Sequence, residues 1–211
     1  FVPRRQIRSI VQPYSVAEGK VMADDLIARI ETLASRLAEA KASGCFAVAM
    51  DVDAAGLPFL KNMTPPAGSK SVEELAEIVQ LAERPFIVKG VMTVKGALKA
   101  KQAGAAAIVV SNHGGRVLDQ CPATAEVLPA IPDAVGGKMT ILVGGGTFRS
   151  DNPQLTVRGE NAGQQPLACV LTSRLPQPDA DFHLLKDRPE QTVFMVSPAA
   201  AASTPPLLRL L

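Results

Sequence analysis

The chain has 211 residues, 47% of them hydrophobic and 20% charged, the composition of a globular protein. Twenty-two basic against 20 acidic residues leave a net charge of +2, which gives no electrostatic basis for a nucleic-acid groove or an anionic membrane surface. With no Trp and one Tyr there is no base-stacking platform, and no apolar run approaches the ~20 residues that cross a bilayer. Arg4, Arg5 and Arg8 near the start are not followed by an apolar stretch, so no secretory signal is expected. Cys45, Cys121 and Cys169 are widely spaced, odd in number and without a Cys-x-x-Cys pair. Neither a disulfide framework nor a bound metal is expected, and a cytoplasmic, reducing location fits best.

Up to about Arg149, short apolar runs alternate with longer amphipathic stretches. Ile7–Val11 is a first, interrupted strand candidate. Asp24–Ala42 carries Leu26, Ile27, Ile30, Leu33, Ala34 and Leu37 at helical spacing, and Gly44 follows as a stop. Phe46–Met50 is then a continuous apolar run, the form taken by a parallel strand covered on both faces. Ser71-Val-Glu-Glu74 is a capping box that opens a helix through about Ala82. The strand Phe86–Val88 follows, then a helix from N-cap Thr93 to Gly104. Ala106–Val110 is the next strand, Ala123–Leu128 a short helix, and Ile141–Val143 a further strand. Alternating strands and helices specify parallel pairing with right-handed crossovers, which a (β/α) barrel and a doubly wound sheet both satisfy.

From Asp151 onward this regularity stops. The remaining 61 residues hold eight of the 17 prolines. Val193–Val196 reads as a strand and Leu207–Leu211 as a short apolar end, with no sustained period between them. Residues 1–150 are therefore expected to form the organised part, and 151–211 an irregular, proline-rich tail.

In parallel α/β architectures ligands gather at the carboxyl ends of the strands. The unusual polar residues fall there: Asp51 and Asp53 after one run, Lys89 after the next, Ser111-Asn-His-Gly-Gly-Arg116 after the third, and Gly144-Gly-Gly146 after the fourth. A lone lysine or a glycine run is ordinarily only a solvated loop or a turn. A site is indicated because all four fall at equivalent places.

Pro85-Phe-Ile-Val-Lys-Gly90, Ser111-Asn-His-Gly-Gly-Arg116 and Pro122-Ala-Thr-Ala-Glu-Val-Leu128 closely resemble the FMN-dependent 2-hydroxy-acid oxidase and dehydrogenase family. The resemblance runs from about Ala42 to Val143 and, more faintly, back to Gln12. It implies a (β/α)8 barrel with FMN at its mouth, acting on a small 2-hydroxy acid such as lactate or glycolate. It assigns His113 as the base that removes a substrate proton, Asp53 as the partner that orients His113, and Arg116 as the grip on the substrate carboxylate. It assigns Lys89 to the flavin edge that gains negative charge, and Ser111 and Gln12 to flavin contacts, with Tyr14 at the substrate. Asp51, Gly145, Gly146 and Arg149 complete the cofactor set, the last three near the phosphate.

The resemblance breaks at Gly144-Gly-Gly-Thr-Phe-Arg149, where the family has Asp-Gly-Gly and, shortly after, Arg. The text beyond Ser150 has the look of a reading-frame change or an altered C-terminus. Five readable strands are too few to close a barrel. The expected object is an incomplete barrel, about strands three to seven, whose open edges leave three outcomes: an open half-barrel, self-association into a homo-oligomer, or instability. A catalytically inactive remnant that binds FMN or phosphate weakly is the alternative to an active oxidoreductase.

Overall fold

A computed structural model describes residues 23–54, 69–158, 162–177 and 179–202. The expected strand at Ile7–Val11, the residues Gln12 and Tyr14, and the apolar end at Leu207–Leu211 lie outside them.

The elements in chain order are α1 (Ala23–Ala42), β1 (Val48–Asp51), α2 (Val72–Ala82), β2 (Phe86–Lys89), α3 (Val94–Gln102) and β3 (Ala107–Val109). A single 3-10 turn (His113–Gly115) follows, then α4 (Thr124–Val127), α5 (Ala130–Val135), β4 (Thr140–Gly144) and α6 (Gly145–Asp151). Beyond these come β5 (Ala168–Leu171), α7 (His183–Lys186), a 3-10 turn (Pro189–Gln191), β6 (Thr192–Met195) and α8 (Pro198–Ala202). The helix boundaries follow from local chemistry. Ser71 Oγ accepts from the Glu74 amide at 3.1 Å while Glu74 Oε2 accepts from the Ser71 amide at 2.7 Å, closing the expected capping box. Thr93 Oγ1 caps α3 by accepting from the Gly96 amide at 2.9 Å.

All six strands pair in parallel, in the order β1-β2-β3-β4-β5-β6. A doubly wound sheet reverses its strand order partway; this one never does, which selects the barrel winding from the two architectures that the sequence allows. Six strands leave it an incomplete (β/α) barrel, open between β1 and β6 among the described residues.

The strand register separates two faces. Met50, Val88, Ile108, Ile141 and Ala168 form one row across five strands, each 3% exposed or less, and belong to the main core beneath the helices. The next row is Asp51, Lys89, Val109, Leu142 and Cys169, on the opposite, helix-free face. There Ala107, Leu142 and Cys169 form a second, small apolar cluster with Ile87, Val109 and Met195. Alternation along each strand thus sends greasy side chains to the helices and delivers Asp51 and Lys89 to the concave side.

One expectation is extended and one is corrected. The helix expected over 123–128 continues, after Pro129, as a separate helix α5; Pro132 is tolerated as its third residue because first-turn amides have no intrahelical acceptor. The tail is not irregular throughout. β5 and β6 extend the sheet, and Arg188, 6% exposed, ties the intervening loops together by donating to the carbonyls of Leu155 and Pro166 and, at 3.2 Å, to Gln191 Oε1. Burial pushes that guanidinium below its usual pKa.

Phe148 on α6 fastens the tail to the rest: its ring lies 4.3 Å from that of Phe182 and 5.4 Å from that of Phe194, and it is 1% exposed. Phe148→Ala is expected to destabilise the chain by roughly 3–5 kcal/mol, read from the urea midpoint. A loss under about 1 kcal/mol would show that the tail docks without it.

Candidate active site

β1 ends at Asp51 and β2 at Lys89, direct register partners, so strand pairing alone sets their side chains next to each other. The Lys89 ammonium donates to Asp51 Oδ2. Asp51 is 1% exposed, and its Oδ1 accepts from the Ala54 amide at 3.3 Å, which curls the chain so that Asp53 returns over the strand end. Gly90 permits that return: a Cβ there would sit 2.6 Å from Asp53 Cγ, and its φ of +95° suits glycine.

The third segment is the turn after β3. Ser111 Oγ accepts from the His113 amide at 3.2 Å, and Asn112 Oδ1 from the Gly114 amide at 3.1 Å. These short bonds hold His113 in left-handed backbone, φ +57°, a conformation uncommon for a residue with a side chain. The strained turn brings His113 Nδ1 to 3.2 Å from Asp53 Oδ1, 3.4 Å from Asp51 Oδ2 and 3.4 Å from Lys89 Nζ. Four groups from three strand ends therefore form one cluster.

Its charges are unequal in environment. Burial pushes the Asp53 carboxyl up, and the hydrogen bond and negative charge of Asp51 push it further, to about 6. Burial also opposes ionisation of Asp51, but hydrogen bonds from Asp53 and Lys89 and the Lys89 charge outweigh it and hold that carboxyl below its usual range. Asp53 Oδ2 is buried without a hydrogen-bond partner. Ligand atoms of Asp51, Asp53 and His113 lie within 4.8 Å of one another, yet the positive charge among them is already supplied by Lys89.

Arg116 is exposed and stays on the same turn, its Nε donating to the His113 carbonyl at 2.9 Å. Gly145, Gly146 and Arg149 stand at the next strand end, after β4. The Gly144–Gly146 run opens α6 and is not a loose turn. The exposed Arg149 donates to Thr172 Oγ1 at 3.1 Å, and a Cβ on Gly145 would meet that same oxygen at 2.5 Å. Thr172, 8% exposed at the end of β5, was not singled out by the sequence; reading β5 as a strand would have marked its end.

Comparison with known proteins divides the chain. Residues 59–151 match the family model described as FMN-dependent dehydrogenase, and residues 134–209 match the RibD C-terminal domain. The second match corrects the expectation that the tail has no family counterpart. Similar proteins include a 2-hydroxyacid oxidase of Dictyostelium discoideum, 42% identical over 91 residues (43% of this chain, 23% of that protein). An L-lactate oxidase of Lactobacillus jensenii is 44% identical over 79 residues, covering 37% and 19% of the two chains. A pre-mycofactocin synthase of Mycobacterium tuberculosis is 43% identical over 89 residues, covering 42% and 22%. The chain thus spans about a fifth of these relatives' length. The solved lactate oxidase of Pediococcus acidilactici aligns with a TM-score of 0.47 at 33% identity, over 54% of this chain and 38% of that one.

An acid whose pKa is raised on folding binds its proton more tightly in the folded state, so between about pH 4 and 6 the Asp53 contribution to stability falls as pH rises. Asp53→Asn is expected to flatten the stability profile across that window, by on the order of 2 kcal/mol. Denaturant midpoints at pH 4, 5, 6 and 7 measure it; parallel profiles for the two proteins would contradict the raised pKa.

Proposed function

We propose, from the match of residues 59–151 to the FMN-dependent dehydrogenase family, that this chain takes part in oxidising a small L-2-hydroxy acid, of the lactate or glycolate kind, to the 2-oxo acid. The observation that carries this reading is the contact of His113 Nδ1 with Asp53 Oδ1, 3.2 Å apart, beside Lys89 on the helix-free face.

The residues fit the family's cofactor. The concave row offers an ammonium, a buried carboxylate oxygen without a partner, and apolar neighbours in Val109 and Leu142, suited to a planar, partly polar ring. FMN, when bound, supplies the acceptor of the hydride equivalent. Lys89 would hold its ring by charge and Ser111 and Gln12 by hydrogen bonding, while Gly145, Gly146 and Arg149 would face its phosphate. Asp51 acts on that side of the site through Lys89.

At the substrate, Nδ1 of His113 donates toward Asp53, so Nε2 is the nitrogen that takes the proton from the 2-hydroxy acid. Ionised Asp53 then stabilises the imidazolium. The guanidinium nitrogens of Arg116 beyond Nε are suited to the substrate carboxylate, with Tyr14 as a further contact. Residues 1–150 carry these roles, and 151–211 complete the sheet. No described helix is long and apolar enough to cross a membrane, and the three cysteines are free thiols. A cytoplasmic location, a homo-oligomer that covers the open edge, and the absence of nucleic-acid partners are parts of the same proposal.

One observation favours a second reading. Among the described residues the sheet has six strands where a closed barrel has eight, and a different family's match begins at residue 134. On that reading the scaffold binds flavin or phosphate without turnover. Titration of the purified chain with FMN, followed by flavin fluorescence, is expected to saturate at one equivalent. Anaerobic lactate or glycolate should then bleach the yellow colour, and His113→Ala should slow bleaching by roughly 10²–10⁴-fold. Saturable binding without bleaching supports the second reading; no binding defeats both.

A further inference from the structure

His113 Nδ1 meets three groups at nearly equal distance: Asp53 Oδ1 at 3.2 Å, Asp51 Oδ2 at 3.4 Å and Lys89 Nζ at 3.4 Å. Two are acceptors and one is a donor, and they ask opposite things of the ring. The carboxylates favour a proton on Nδ1, leaving Nε2 bare. The ammonium favours a bare Nδ1 that accepts from it, which places the ring proton on Nε2. Only the first state gives a base directed away from the cluster.

What decides between them is the partner of Lys89. Its ammonium is ion-paired with Asp51, a residue 1% exposed and its register partner, whereas the imidazole nitrogen lies 3.4 Å away. We propose that Asp51 is a positioning residue that fixes the tautomer of His113, by capturing the Lys89 ammonium so that Nδ1 keeps its proton and Nε2 stays free. The groups facing the ring are Asp51 at the end of β1, Asp53 just beyond it and Lys89 at the end of β2, with Arg116 bonded to the His113 carbonyl on the same turn. A lysine without Asp51 would turn its donor on Nδ1 and reverse the ring. The role matters for turnover only if His113 is the base, so in that respect it rests on the proposed function; the tautomer itself belongs to the unliganded chain.

Ring nitrogen shifts of the full chain, labelled with ¹⁵N and recorded where imidazole is neutral, read this directly, because protonated and bare ring nitrogens resonate far apart. The chain has two histidines, so His183→Gln assigns the signals. The unsubstituted chain is expected to show the Nδ1–H form of His113. Asp51→Asn should move it toward Nε2–H, Asp51→Glu should retain Nδ1–H, and Asp51→Asn combined with Lys89→Met should restore Nδ1–H. An Nε2–H ring in the unsubstituted chain overturns the proposal, whether or not any variant folds. A folded Asp51→Asn that keeps Nδ1–H also overturns it. Failure of FMN binding would leave these shifts unchanged, so the two readings fail separately.

Discussion

The site depends on one ion pair, the buried Asp51 with the partly exposed Lys89. Removing the Asp51 charge from water costs several kcal/mol, and only close geometry with further hydrogen bonds offsets it. Both conditions are met here. The two residues are register partners on adjacent parallel strands, and Asp51 also accepts from the Ala54 amide. Register and charge reinforce each other, because a slip of one residue would send Asp51 into the apolar layer beneath the helices and bring an apolar neighbour to the concave face. Everything else in the cluster is arranged around that pair: the return of Asp53 over Gly90, the strained turn that carries His113, and the division of protons between two carboxylates two residues apart in the chain.

One sheet joins this cluster, at the ends of β1 to β3, to a seam between two kinds of sequence at β4. The FMN-dependent dehydrogenase match and the RibD C-terminal domain match overlap over residues 134–151, which hold β4 and α6. β5 pairs with β4 over four positions, and Phe148 packs against Phe182 and Phe194, so the two segments share one sheet and one core. The strands from the second segment cover an edge that would otherwise present unpaired backbone. They also bring Thr172 to the strand-end rim, where it holds Arg149 and closes against Gly145.

Much of this was legible in the residues. Continuous apolar runs bounded by capping signals located β1 to β4 within two residues, and strand-end polar residues pointed to the cluster, because parallel strands carry their ends to one rim. The capping boxes and glycine stops worked because they are local. What was not legible depends on distant partners. β5 is four residues set between prolines and becomes a strand only by pairing with β4 and β6. α5 carries Pro132 and owes its stability to burying Ile131 and Val135. The capture of Lys89 by Asp51 required the register, which no single segment contains, and the exposure of Arg116 on its own turn could not be read from Gly-Gly spacing.

A double-mutant cycle on folding stability, comparing Asp51→Asn, Lys89→Met and the pair of substitutions together, tests the central ion pair most directly. Lys89→Met leaves the buried Asp51 charge without its partner and is expected to destabilise by roughly 3–5 kcal/mol, Asp51→Asn leaves only the partly exposed Lys89 and should cost about 1–2 kcal/mol, and the double change should cost at least ~1 kcal/mol less than their sum. Additivity within about 0.5 kcal/mol would mean that Asp51 and Lys89 do not hold each other, and the organisation of the site would need another origin.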